Sequence, residues 1–200
     1  MMKKSAFTLI ELLIVITIIG VLTSILVLNF QGVKEKQEMA LLAGKSLALM
    51  QQTKADVRSG KVEIDEAGET SYVCEGALFA VGEHPEFVKA PYLADSGVCD
   101  FAALSFENYG LDSGGAYVGS IELVVDGQEL DTLLALFVPP SGALELYSED
   151  GSSSYDGSAE LRFASASYEV DETQIAAVLR LSEDSGFAQL VFVDPTADEE

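Results

Sequence analysis

Histidine is almost absent from this chain: among its 200 residues the only one is His84. Ser-His-Asp and Cys-His catalysis both need an imidazole as a base, and no G-x-S-x-G nucleophile motif accompanies His84. The chain also lacks the G-x-x-x-x-G-K-[ST] phosphate-binding loop, so it is not the ATP-driven motor of a transport system. We therefore predict that the protein is not an enzyme and that His84 is an ordinary surface residue.

Lysine and arginine are also scarce, with 11 of them against 33 aspartates and glutamates. Residues 31–60 have five basic and three acidic residues, whereas residues 61–200 have four basic and 29 acidic residues, a net charge of −25. Because proteins bind nucleic acids by neutralising phosphates with Lys and Arg, nucleic acid is not expected as a partner. The acidity indicates a solvated surface that maintains solubility. Cation binding, a basic partner and adaptation to high salt are the alternatives.

Proline is missing from the first 84 residues, and an apolar run extends without interruption from Phe7 to Phe30. Two lysines precede the run, and Glu11 is its only charge. Since about 20 apolar residues cross a bilayer as a helix, the run predicts a membrane span. The two lysines place the chain's start in the cytoplasm and the residues after the span outside it. An ionisable residue within a span needs a partner, so Glu11 is a candidate functional residue.

The start of this run resembles the type IV prepilins and the related type II secretion pseudopilins. The match is Lys3-Lys4, small residues, and then Phe7-Thr8-Leu9-Ile10-Glu11-Leu12-Leu13. The resemblance implies that a prepilin peptidase cuts between Ala6 and Phe7 and methylates the new amino group of Phe7. The family usually has Gly where this chain has Ala6. The resemblance also implies that Glu11 pairs with the terminal amine of a neighbouring subunit, and residues 7 and 11 share one face of a helix.

The resemblance further implies a filament subunit, and the large head favours a minor one. Its expected partners are other pilin or pseudopilin subunits, the prepilin peptidase and methylase, the membrane, and an inner-membrane assembly platform. We expect it in the inner membrane with its head outside the cytoplasm, and then in a filament on the cell surface or in the periplasm. A pseudopilin of a type II secretion system is the alternative. A membrane-anchored binding or adhesion domain that never polymerises is the second alternative, and a secretory signal fits less well because its apolar core is shorter.

The pattern along the chain predicts an α+β fold of pilin type, with a long helix packed on an antiparallel sheet or sandwich. We expect a leader at 1–6, a helix at 7–59, a β-rich head at 60–194 and an acidic tail at 195–200, with residues 7–30 in the membrane or filament core. Ser59-Gly60 is a helix stop, and residues 136–142 are somewhat similar to the H-type minor pseudopilins. Loops are expected at His84-Pro85 and Ala90-Pro91. The runs 72–74 and 77–81 together predict one strand. The other predicted strands are 117–125, 133–138, 143–147, 160–164 with an extension towards residue 170, 175–181 and 187–193, and the last two form a hairpin.

Two cysteines, Cys74 and Cys99, are an even number outside the reducing cytosol, which predicts a disulfide. Two free thiols are the alternative, and a zinc site is disfavoured because no second Cys or His pair accompanies them. No cofactor is expected. The best cation candidate is a set of three carboxylates that suit Ca²⁺, although a solvated turn is the preferred interpretation because their spacing does not match an EF-hand. The three are Glu149, Asp150 and Asp156.

Overall fold

A computed structural model describes residues 9–64, 70–107, 111, 115–124, 127–165, 176–182 and 187–193. The described part of the chain starts with one long helix and continues in antiparallel β-strands, so the α+β prediction is confirmed. The predictions for the leader at 1–6, for Ala6 and Phe7, and for the acidic tail at 195–200 fall outside the described residues. So does the predicted extension of a strand towards residue 170.

The helix, α1, covers Leu9–Arg58 and contains 50 residues, which corresponds to a length of about 75 Å at 1.5 Å per residue. It ends where the sequence predicts. The amide of Ser59 donates to the Ala55 carbonyl at 2.9 Å, and that of Gly60 donates to the Val57 carbonyl at 3.1 Å. Gly60 has a φ of 75°, the left-handed conformation with which glycine commonly ends a helix.

The second half of α1 buries one face against the head. Its buried residues recur every three or four positions, the spacing of one helical face. The two polar members of this face are satisfied within the helix, because Ser46 and Thr53 donate to the carbonyls of Leu42 and Leu49 at 2.9 and 2.8 Å. The full set is Met39, Leu42, Ala43, Ser46, Leu49, Met50, Thr53 and Val57.

The described strands form two antiparallel sheets. The first has the order β10-β9-β8-β2-β3-β4, with β1 also paired to β2 and β5 to β3, and the second has the order β13-β12-β11-β6-β7. A short 3-10 helix, Phe101–Ala103, lies between β4 and β5. The strand bounds are β1 Val62–Ile64, β2 Thr70–Ala80, β3 Glu86–Leu93, β4 Val98–Cys99, β5 Ser105–Glu107, β6 Ala116–Leu123, β7 Glu129–Leu130, β8 Thr132–Val138, β9 Ala143–Tyr147, β10 Ser154–Tyr155, β11 Ser158–Ser165, β12 Ala176–Ser182 and β13 Phe187–Val193.

The main core is shared by α1 and both sheets, and a smaller core covers the opposite face of the first sheet. The central strand β8 contributes to both, because side chains alternate across a strand. Its residues Leu133, Ala135 and Phe137 enter the main core, whereas Leu134, Leu136 and Val138 enter the smaller one. The two sheets also meet through the backbone, since Val118 accepts from the Gly82 amide at 2.8 Å and donates to the Glu83 carbonyl at 3.0 Å.

Most strands from residue 116 onward lie where the sequence predicts them, and the hairpin of β12 and β13 is confirmed. The strand predicted from 72–74 and 77–81 is confirmed as β2, which continues through Glu75 and Gly76. One prediction was wrong. Ala90-Pro91 belongs to strand β3 rather than to a loop. Proline is tolerated there because the pair of Pro91 and Val73 is the last in the β2–β3 register, where the missing amide costs least.

Candidate functional site

In the first part of α1, the head does not bury the side chains. Every side chain from Leu9 to Ser24 is exposed. Three polar side chains of this segment donate hydrogen bonds to the helix backbone. Thr23 and Ser24 donate to the carbonyls of Ile19 and Gly20 at 2.7 and 2.9 Å, and Thr17 donates to the carbonyl of Leu13. The segment therefore presents a nearly continuous apolar surface. Its exposed large hydrophobic residues are Leu9, Ile10, Leu12, Leu13, Ile14, Val15, Ile16, Ile18, Ile19, Val21 and Leu22.

Glu11 lies in the first turn of α1, where its charge has the favourable sign for the positive end of the helix dipole. It is the only acidic residue between Leu9 and Ser24, and it is exposed. Its predicted partner position, Phe7, falls outside the described residues, so the pairing stays a prediction. Over the part of the chain that the structure describes, we find no helix with the length and apolarity required to cross a membrane.

An ion pair between a half-exposed lysine and a buried carboxylate joins the end of α1 to the first sheet, and it was not predicted from the sequence. Glu75 on β2 is 1% exposed, and its Oε1 lies 2.8 Å from Nζ of Lys61, which also lies 3.3 Å from Oδ2 of Asp56. The hydrogen bond and charge of Glu75 raise the pKa of Lys61, against a smaller opposing effect of burial, with Asp56 adding to the increase. Glu75 occupies the same face of β2 as Val73, Ala77 and Phe79, and a charge at that alternating apolar position was the signal in the sequence.

A second lysine neutralises carboxylates on the same sheet. Nζ of Lys89 on β3 lies 3.0 Å from Glu63 and 2.9 Å from Glu107, which belong to β1 and β5. Burial alone would lower the pKa of Lys89, but the hydrogen bonds and charges of Glu107 and Glu63 together raise it above its ordinary value. The ammonium also lies 5.6 Å from the centre of the Phe87 ring. Lys89 thus ties three strands together.

The predicted disulfide between Cys74 and Cys99 is present in the structure. Cys74 is on β2 and pairs with Ala90, while Cys99 is on β4 and pairs with Tyr92, so the bridge passes over β3. Their Cα atoms are 6.1 Å apart, although strands two positions apart in a flat sheet are separated by about 9.6 Å. Strand β4 must therefore lean over the face of β3, and small Ala90, which is fully buried, leaves room for the bridge.

The three carboxylates of the calcium candidate lie in and next to the turn between β9 and β10. Asp150 accepts from Oγ of Ser148 at 2.8 Å and from the amide of Ser152 at 3.0 Å. These hydrogen bonds, that of the Ser152 amide first, lower the pKa of Asp150 from 3.8 to about 2. Among the described residues, no group of three or more His, Cys, Asp or Glu side chains is arranged to hold a metal ion. The calcium site stays a prediction.

His84 lines a cleft of about 530 Å³ together with Glu83, Glu86, Phe106 and Glu107. It is half-buried, and its Nδ1 is buried without a hydrogen-bond partner in the described part of the chain. The expectation of an ordinary surface residue is therefore corrected, because the turn before β3 folds the imidazole into the cleft. The described residues that line the cleft include no Ser, Thr, Cys or Lys, so they supply no nucleophile for His84 to activate.

Comparison with known proteins identifies the N-terminal segment. Residues 1–27 match the family model described as the prokaryotic N-terminal methylation motif. This is the prepilin motif of type IV pilins and pseudopilins, so the resemblance stated above is confirmed for these residues. The motif implies processing by a prepilin peptidase and assembly with other pilin subunits, and it belongs to structural pilin proteins rather than to enzymes. No curated protein and no solved structure matches the chain.

Proposed function

We propose that this chain is a minor subunit of a type IV pilus-like filament, cleaved between Ala6 and Phe7, methylated at Phe7, and assembled by packing of its N-terminal helix. Residues 7–30 are the membrane span before assembly and part of the filament core afterwards. The head lies outside the cytoplasm, first at the inner membrane and then along the filament. Its partners are sibling subunits, the prepilin peptidase and an inner-membrane assembly platform.

The observation that carries this proposal is the division of one helix into two environments. The motif at 1–27 contains a segment, Leu9 to Ser24, whose side chains are all exposed, whereas the head buries one face of the same helix from Met39 to Val57. Fully burying one large aliphatic side chain is worth about 1.5–3 kcal/mol. Eleven such side chains left exposed on one segment require lipid or neighbouring helices as their surroundings.

Glu11 supplies the specific step in this packing. Apolar helices packed together in an apolar medium have no strong preference for one axial position, since contacts between aliphatic side chains are similar in many registers. A single carboxylate in the segment selects the register in which it meets a cation. In the proposed filament that cation is the methylated amine of Phe7 on a neighbouring subunit. Each added subunit is thereby positioned by one ion pair.

The first test is mass spectrometry of the N-terminal peptide and of the intact protein, from the membrane fraction and from sheared filaments of the host. The proposal expects a chain that begins at methylated Phe7 in both fractions. An unprocessed chain found only in membranes would overturn it and favour the membrane-anchored domain that never polymerises. Methylated protein in membranes, with none in sheared material, would favour the pseudopilin alternative, since a periplasmic filament is not released by shearing.

The second test uses Glu11→Ala and Glu11→Gln. Both variants should be cleaved and methylated normally, because the cut precedes Phe7, but their incorporation into filaments should fall at least about tenfold, which corresponds to 1.4 kcal/mol. Thr17→Val is the matched control, since Thr17 lies exposed in the same segment and its hydroxyl bonds only within the helix. Normal incorporation of Glu11→Gln would show that the carboxylate charge does not position the subunit.

A further inference from the structure

Among the described residues, the second sheet ends in a long strand that has a partner on one side only. Strand β13 covers seven residues, and each of them pairs with β12 in one continuous register. On its other side, none of the described strands pairs with it. No backbone hydrogen bond from a turn or loop of the described residues reaches it. An edge strand of this kind presents a row of free amides and carbonyls that can pair with another extended chain.

The other sheet edges of the described structure are short or covered. Strands β4, β7 and β10, at the ends of the sheet orders, have two residues each, and the additional edge strands β1 and β5 have three each. Beyond β7, the edge of β6 is occupied by the turn after β2, through the two hydrogen bonds that join Val118 to Gly82 and Glu83. Short strands and covering loops are the devices by which natural sheets prevent pairing at their edges. Strand β13 is longer, and no turn or loop in the described part of the chain hydrogen-bonds to its outer edge.

The sequence of β13 also lacks the residues that usually block an edge. Its seven residues include no charge, proline or glycine, and its register with β12 shows no bulge, unlike the pairing of β11 with β6. Ala188, Leu190 and Val191 are half-buried, and Gln189 is exposed. Backbone pairing would supply affinity for an added strand, and these side chains would contact alternate side chains of that strand.

Charge decides what kind of strand fits. Residues 61–200, which are the head and the acidic tail, have a net charge of −25. Their four basic residues are all engaged in ion pairs: Lys61 and Lys89 as described above, Arg162 with Glu122 at 3.7 Å, and Arg180 with Glu160. Carboxylates thus outnumber the basic residues of the head, and every basic side chain is paired with a carboxylate. A second copy of this chain would bring the same negative charge to the edge, which opposes edge-to-edge pairing of two heads.

We propose that the β13 edge binds an extended segment of another protein, apolar along its length and basic at its ends, as an added antiparallel strand. The partner is therefore a different polypeptide with Lys or Arg flanking a β-prone run. In the sheet, the added strand would lie next to Gln189, which is itself the cross-strand neighbour of Arg180. This inference concerns the head alone and does not depend on cleavage or filament formation.

The probe is a fluorescent nine-residue peptide of alternating Val and Thr with one Lys at each end. The control peptide has the same central residues with one Glu at each end. The full chain is kept in a non-ionic detergent, and binding is followed by fluorescence anisotropy at low and high salt. The proposal expects saturable binding of the Lys peptide that weakens as salt rises, and at least tenfold weaker binding of the Glu peptide. Equal binding of the two peptides, or no binding of either, would overturn it.

Proline variants locate the binding edge. Because amides alternate in direction along an edge strand, one of the residues Ala188 and Gln189 points its N–H outward and the other bonds to β12. Of Ala188→Pro and Gln189→Pro, the variant that keeps the wild-type melting temperature has lost only an outward donor, and it should bind the Lys peptide at least tenfold more weakly. Unchanged binding by that variant would place the peptide elsewhere and refute the proposal.

Two further measurements separate the edge from general electrostatic effects. Gln189→Lys should weaken binding of the Lys peptide severalfold, whereas Gln128→Lys, which adds the same charge to an exposed residue at the opposite edge of the sheet, should change it less than twofold. Light scattering of the full chain should show no dimer. A dimer that disappears in the folded proline variant would be the contrary result. Such a dimer would mean that the edge pairs with a second copy and that the basic partner is wrong.

Discussion

Lys61, three residues after the end of α1, lies with its Nζ 2.8 Å from Oε1 of Glu75, a carboxylate on the second strand that is 1% exposed. A buried carboxylate without a cation is strongly unfavourable. The pair therefore holds the end of the helix against the first sheet. Its position matters because it fixes how the head is attached to α1.

Removing Lys61 should destabilise the head more than a surface substitution would. Lys61→Met leaves Glu75 buried and unpaired, so we expect the free energy of unfolding to fall by about 3 kcal/mol, measured by urea denaturation. The double variant Lys61→Met/Glu75→Met removes both charges and should recover most of the loss. The control is Lys36→Met, because Lys36 is an exposed lysine of α1. Equal losses for Lys36→Met and Lys61→Met would contradict the prediction.

The Lys61 pair should also give a characteristic pH dependence. Because the folded pKa of Lys61 is raised above its ordinary value of 10.5, its contribution is fully present below about pH 10.5 and is lost as the pH rises through the folded pKa. The difference in stability between wild type and Lys61→Met should therefore narrow above pH 10.5. Urea titrations at pH 8 and at successive steps above pH 10 measure it, and a difference that stays constant would rule out this linkage.

The disulfide should stabilise the first sheet. It closes a loop with a sequence separation of 25 residues, for which the chain-entropy model gives roughly 3 kcal/mol. We expect Cys74→Ala/Cys99→Ala to lower the free energy of unfolding by about that amount, and a reducing agent to have the same effect on wild type but none on the double variant. A reducing agent that leaves wild-type stability unchanged would show that the bridge adds nothing.

Gly76 should be irreplaceable, because β2 passes very close to β8 at this residue. A Cβ atom at position 76 would meet the Ala135 carbonyl oxygen and lie 2.9 Å from Cα of Leu136, which are backbone atoms that cannot move aside. Gly76→Ala should therefore cost about 3 kcal/mol or more. Gly44→Ala is the matched control, since nothing lies within 4 Å of its added Cβ, and it should gain about 0.5–1 kcal/mol in a helix. Thermal unfolding of both variants tests the contrast.

Calcium should have no large effect on the head. Asp150, the central carboxylate of the candidate set, already accepts hydrogen bonds from Ser148 and Ser152, so it stabilises its own turn. We expect millimolar Ca²⁺ to leave the melting temperature unchanged, and Asp150→Asn to lower it in the presence and absence of the ion. A saturable rise in melting temperature with Ca²⁺, missing in Asp150→Asn, would establish a calcium site instead.

The sequence was sufficient for the elements that depend on local pattern. The helix end at Arg58 follows from Gly60, because glycine, unlike the other residue types, adopts the left-handed conformation without a steric cost. The strands β8, β9 and β13 follow from short apolar runs bounded by turn residues. The strand β3 was missed around Pro91, because proline usually marks a loop and only the tertiary register shows that it occupies the end of a pairing.

The sequence by itself determined the identity of the N-terminal segment: the motif around Phe7 and Glu11 is a contiguous string of residues that a peptidase and a neighbouring subunit would read directly. Only the tertiary structure decided which charges of the head are paired, since Lys61 and Glu75 are 14 positions apart and Lys89 meets Glu63 and Glu107 from distant strands. The open edge of β13 was likewise decided by sheet order. Cross-strand neighbours depend on how strands are arranged in space, which local periodicity does not encode.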